Sequence, residues 1–128
     1  MQIKKIETPK AMLPKGSPHS QAMVANGFVF TQGVIALTPE GVMEEGDLDN
    51  KVRQIMENIE NILLEANSSL DNVVKATIFV TDMKFYAEVN NAYKDYFADP
   101  YPARETVCVK ELPLGAEIEM SVIAVQDE

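Results

Sequence analysis

From Leu48 onward the apolar residues fall at Leu48, Val52, Ile55, Met56, Ile59, Ile62, Leu63 and Ala66. Steps of three and four place them on one face of an α-helix. Asp47 or Asp49 can cap its start by accepting backbone N–H bonds, and Asn67-Ser68-Ser69 ends it. Val73 to Thr81 alternates instead, with Val74, Ala76, Ile78 and Val80 on one face and Lys75, Thr77 and Phe79 on the other, which predicts a strand. A second helix is expected from about Phe85 to Phe97, with Phe85, Val89, Ala92, Tyr93, Tyr96 and Phe97 as its stripe, until Asp99-Pro100 breaks it. Two strands follow. In Glu105 to Lys110, Val107 and Val109 oppose Arg104, Thr106 and Cys108; in the last, Ile118, Met120, Val122 and Ala124 oppose Glu117, Glu119, Ser121 and Ile123.

Ahead of the first helix, a short alternation near Gln2 to Ile6 predicts one edge strand and then loop to Pro18. Val24 to Gly33 holds two apolar runs around Asn26-Gly27, a dipeptide that supplies the positive φ angles of a tight hairpin. Thr38-Pro39-Glu40-Gly41 closes a further strand segment, Val34 to Leu37. Two amphipathic helices among several strands predict an α+β fold with the helices on one sheet face. The uncovered face would carry Phe79, Cys108 and Ile123 beside Lys75, Thr77, Glu119 and Ser121. That mixture is too apolar for water and too polar for a core, so it predicts an oligomer interface with polar-lined pockets between subunits.

Length and charge narrow the function. At 128 residues the chain is one domain, taken as 1–128. A net charge of −9 repels phosphate backbones and anionic lipid, and the lysines and arginines form no stripe, so nucleic acid is not an expected partner. No apolar run approaches the roughly 20 residues that span a bilayer, so no membrane partner is expected either. With no leader pattern and a single cysteine, a cytoplasmic location is expected. One histidine and one cysteine do not make a zinc ligand set, and no phosphate-cradling glycine loop is present, so neither a metal nor a cofactor is expected.

Three side chains remain as candidates for chemistry. Arg104 follows the turn Tyr101-Pro102-Ala103, and its planar fork suits a carboxylate; a surface ion pair with one of 20 acidic side chains is the alternative. Glu119 lies on the mixed face of an apolar strand, where partial burial would raise its pKa and fit it for proton transfer, although alternation with Glu117 also reads as a solvated stripe. His19 is the one side chain whose ordinary pKa lies near neutrality. Cys108 reads as a small interior or interface residue and is assigned no role.

Three segments taken together carry more information: SPHSQAMVANGFVFTQGVIAL from Ser17 to Leu37, VVKATIFVTDMKFYAEVNNAYKDYF from Val73 to Phe97, and YPARETVCVKELPLGAEIEMSVIAV from Tyr101 to Val125. In order and spacing, and above all in the P-A-R-x-T-V and I-E-x-x-x-I-A-V elements, nearly the whole chain resembles the YjgF/RidA family. The resemblance implies a chorismate-mutase-like fold, two helices on one face of a mixed sheet, assembled as a homotrimer with sites between subunits. It also implies cofactor-independent hydrolysis of imines and enamines to 2-keto acids and ammonia. Arg104 matches the arginine that grips the substrate carboxylate, and Glu119 the glutamate that positions or activates water. Backbone groups from Arg104 to Thr106 would hold the nitrogen, with Thr106 standing where some members have cysteine. Two positions depart from the pattern: His19 replaces the tyrosine of G-P-Y-S-Q, and Gln32 replaces the serine of S-G-Q. Both would reshape the substrate pocket. A non-catalytic trimeric module that binds 2-keto acids or similar carboxylates is the alternative, since the same arginine would serve it. An older ribonuclease label in the family sits poorly with a charge of −9.

Overall fold

A computed structural model describes residues 2–13 and 16–128. Six strands, β1 (Ile3–Ile6), β2 (Ala22–Ala25), β3 (Phe28–Thr31), β4 (Val73–Val80), β5 (Ala103–Cys108) and β6 (Ile118–Val125), form one sheet in the order β1-β2-β3-β6-β4-β5. All neighbours are antiparallel except β4 and β5, which run parallel because α2 (Tyr86–Tyr93) connects them. Helix α1 (Leu48–Glu65) and α2 cover one face. The predicted stripe of α1 is its buried stripe, with Ile55, Ile59, Ile62 and Leu63 fully enclosed against Val29, Ile78, Met120 and Ala124.

The ends of α1 follow from sequence chemistry. The Asp47 carboxylate accepts from the Asn50 backbone N–H at 2.9 Å, so Asp47 rather than Asp49 is the cap. At the other end Asn67 turns left-handed (φ 59°), Ser68 N–H donates to Leu63 C=O and Asn67 N–H to Leu64 C=O, which satisfies two carbonyls the helix leaves open. The β2–β3 hairpin turns at Asn26 (φ 52°) and Gly27 (φ 81°) as expected.

Several expectations need correction. The second helix ends at Tyr93, not Phe97; bonds from Asp95 to Ala92 and Tyr96 to Tyr93 tighten its last turns, while Phe97 still stacks on Tyr93 with ring centres 4.5 Å apart. Val34 to Leu37 makes only two isolated bridges, Val34 to Met120 and Leu37 to Met43, rather than a strand. A register shift between Val73 and Lys75 buries Val73 and exposes Val74, reversing the expected placement of Val74. Cys108 does not lie on the uncovered face. It stands opposite Val80 in the parallel pairing, as Arg104 stands opposite Ala76 and Thr106 opposite Ile78, and those partners face the helices. The uncovered face instead carries Phe28, Phe30, Phe79, Val107 and Ile123, with Phe28 and Phe30 exposed.

Candidate functional site

The candidate residues form two clusters on opposite faces of the sheet. The first lies where β5 meets α2. Its guanidinium, from Arg104, sits 4.9 Å from the Tyr93 ring centre and 5.8 Å from that of Tyr86, and donates a long 3.4 Å hydrogen bond to the Tyr86 hydroxyl. Among the described residues no carboxylate pairs with it, as none pairs with Lys4, Lys10, Arg53, Lys94 or Lys110, whereas Lys5, Lys51, Lys75 and Lys84 each have an acidic partner. The surface ion pair that competed for Arg104 is therefore not made. Asn90, Tyr93, Tyr101 and Pro102 enclose a cleft of about 310 Å³ beside the guanidinium. Two atoms there lack hydrogen-bond partners although buried: Asn90 Oδ1 and the Tyr93 hydroxyl. Burial raises the pKa of the Tyr93 phenol, and the charge of Arg104 partly offsets the rise. Thr106, next on the same side of β5, is half-buried but does not line this cleft.

The second cluster surrounds Glu119 on the uncovered face. Its position is set by the bridge between Val34 and Met120, whose paired backbone bonds of 2.8 and 2.9 Å lay the chain at Gly33 against the start of β6. The Glu119 carboxyl rests directly on Gly33: a Cβ there would lie 2.5 Å from Oε2 and 2.7 Å from Cδ. Burial raises the Glu119 pKa above the ordinary carboxylate value, so the group holds a proton more readily than a solvated glutamate. Two depressions of about 470 and 500 Å³ meet over this carboxyl and share His19, Gly33 and Pro113. Gln32 lines the first, and both its amide atoms are buried without a partner. His19, Gln32 and Glu119 thus line one depression.

Arg104 does not join them within one chain. Arg104 is level with Ala76 and Glu119 with Phe79 on β4, a separation of about 10 Å along the strands. The two side chains also project from opposite faces of the sheet. Pattern reasoning missed Tyr93, which it places in the apolar stripe of α2, Asn90, a polar residue outside that stripe, and Gly33, whose role depends on a contact 86 residues away in sequence. A further depression of about 370 Å³ holds Lys51 and Glu117, but these neutralise each other in a 2.6 Å ion pair. Among the described residues no helix is long and apolar enough to cross a membrane.

Comparison with known proteins fits this geometry. The family profile described as Endoribonuclease L-PSP matches residues 9–126. A RutC family protein of Aquifex aeolicus is 48% identical over 127 residues, covering 97% of this chain and all of that one. Reactive Intermediate Deaminase A, chloroplastic, of Arabidopsis thaliana is 39% identical over 120 residues, 93% of this chain and 64% of that protein. The crystal structure of Escherichia coli TdcF with bound serine superposes with a TM-score of 0.88 at 34% identity, covering 97% of this chain and 99% of that one.

Proposed function

The chain belongs to the Endoribonuclease L-PSP family, the YjgF/RidA group, and on that footing we propose that it hydrolyses 2-imino acids and their enamine tautomers to 2-keto acids and ammonia. The observation that carries the reading is Arg104, a guanidinium held between two tyrosine rings with no carboxylate of its own. In a chain with 20 acidic residues against 11 basic ones, an arginine left without an acid is available to a carboxylate from outside. A neighbour in the family binds serine, a small carboxylate, and a plant relative is named a reactive intermediate deaminase.

In the proposed reaction Arg104 binds the substrate carboxylate through two parallel N–H bonds, fixing the plane of the C=N group. Glu119, its pKa raised by burial, directs a water at the imine carbon and takes one of its protons. That proton passes to nitrogen to give a carbinolamine; the carbinolamine hydroxyl proton then follows to the amine by way of Glu119 as the C–N bond breaks, so that ammonia leaves and the carbonyl forms. Gln32 and His19 supply hydrogen bonds around the reacting centre, and Thr106 contributes its backbone beside Arg104. Since Arg104 and Glu119 face opposite sides of one sheet, the working site requires the β5 edge of one subunit to meet the uncovered face of another, in a homotrimer with one site per interface. The exposed Phe28, Phe30 and Val107 would be covered in that assembly.

The test is keto-acid release from imines generated in situ by an amino-acid oxidase. Arg104→Ala is expected to lower kcat/KM by at least about a hundredfold, since it removes the partner of a desolvated charge. Refolding Arg104→Ala together with Glu119→Gln in equal amounts should restore activity in about a quarter of the sites, because one of the two orientations of a mixed interface joins the intact Arg104 to the intact Glu119. No recovery on mixing would place both residues in one subunit and break the proposed arrangement. Wild-type protein that binds keto acids but accelerates no imine would select the binding-module reading instead.

A further inference from the structure

The depression beside Glu119 that does not include Gln32 has a different character from the other. Besides Glu119, His19 and Ser17 it is lined by the apolar side chains of Met12, Leu13, Ile35, Leu37 and Leu114, and Glu119 is the one acidic side chain among its described lining residues. Its volume of about 500 Å³ is within the range of small-molecule pockets and exceeds what a substrate with a single methyl group would fill.

Parts of the wall are held by buried polar residues. Asn58, fully buried on α1, donates from Nδ2 to Leu37 C=O at 2.8 Å and accepts from Met12 N–H at Oδ1 at 3.1 Å, tying two walls to one side chain. Gln21, also buried, donates to Met12 C=O at 2.8 Å and to Thr8 C=O at 3.0 Å. Leu114 forms the rim. It is 71% exposed and sits at φ 58°, a conformation that non-glycine residues seldom adopt. An apolar chamber fixed by interior hydrogen bonds and opening onto the reacting carboxyl is preorganised for an apolar group attached to the reacting carbon.

We infer that this chamber is a side-chain subsite, and that the protein acts on 2-imino acids bearing an extended apolar side chain, of the kind derived from leucine or methionine, in preference to the smallest ones. The inference rests on the deaminase reading given above and refines its substrate class. Each methylene moved from water into the chamber is expected to raise kcat/KM by roughly fourfold. Three additional carbons therefore favour the leucine-derived imine over the alanine-derived one by at least about tenfold, allowing for imperfect burial.

The experiment compares these two imines with wild type, with Leu37→Trp, which fills the chamber, and with Leu114→Asp, an exposed substitution that puts a charge at its rim without disturbing the core. A tenfold or greater preference for the leucine-derived imine that collapses in both variants supports the subsite. Equal rates, or faster turnover of the alanine-derived imine, overturn it. If neither imine is accelerated, the deaminase reading has failed, and the subsite is then read by calorimetric binding of 4-methyl-2-oxopentanoate against pyruvate. Tighter binding of the longer acid that is lost in Leu114→Asp upholds the chamber's role, and equal affinity ends it.

Discussion

Gln21 and Gln32 bracket the same hairpin and are treated in opposite ways. Gln21 accepts from Thr8 N–H at 2.6 Å and donates to the carbonyls of Thr8 and Met12, so its amide is spent entirely on holding the N-terminal loop. Gln32, eleven residues later and hydrogen-bonded to Gln21 only through the backbone, keeps both amide atoms buried and unused. The same contrast separates Asn58 in the core, fully engaged, from Asn90 beside Arg104, whose Oδ1 has no partner. A buried polar group without a partner costs about 1–3 kcal/mol. Where this chain satisfies its amides it is building the fold; where it leaves them unsatisfied, at Gln32 and Asn90, they stand beside the residues of the proposed site.

The contrast breaks at different points under different substitutions. The largest effect is expected at Glu119: Glu119→Gln should lower kcat by roughly 10²–10⁴ while sparing keto-acid binding. Its stability moves the other way. Burial raises the folded-state pKa, so the folded chain holds its proton to higher pH than the unfolded one, and stability declines as pH rises from the ordinary glutamate value through the raised one. Thermal melts of Glu119→Gln should therefore match wild type in acid and exceed it at neutral pH. A variant less stable than wild type at neutral pH would show that the charge is compensated.

Next in size is Gln21→Leu, which strands the Thr8 N–H and two carbonyls in a dry interior and should cost about 3 kcal/mol, read as a lower urea midpoint at unchanged slope. Gly33→Ala should leave that midpoint nearly in place, because the group it meets is a movable carboxyl, yet lower kcat/KM by about a hundredfold by displacing Glu119. A stability change smaller than that of Gln21→Leu, and opposite in sign, is expected from Gln32→Leu, which removes two unpartnered buried atoms and should raise stability by about 1 kcal/mol, with turnover affected more than stability. Should Gln32→Leu unfold the chain as readily as Gln21→Leu, the distinction between the two amides would be lost.

Much of this was legible before any coordinates. Asp47, the stripe from Leu48 to Ala66 and Asn26-Gly27 each specify local structure through contacts a few residues apart, and each appears where periodicity or turn chemistry put it. Arg104 and Glu119 stood out for their setting in turn and strand. The side chains of α2 were read as core alone, since a periodic stripe does not reveal that Tyr93 lends its ring to Arg104 and its hydroxyl to a cleft.

By itself the sequence determined the helix-on-sheet architecture and the turns, because those depend on period and local backbone preference, and it singled out Arg104 and Glu119 as candidates for chemistry. Tertiary structure alone decided which face each candidate occupies. A parallel register that sets Arg104 opposite Ala76, and an antiparallel one that sets Glu119 opposite Phe79, send the two to opposite sides of the sheet. Strand register comes from pairing between distant segments, and a shift of one residue exchanges the faces.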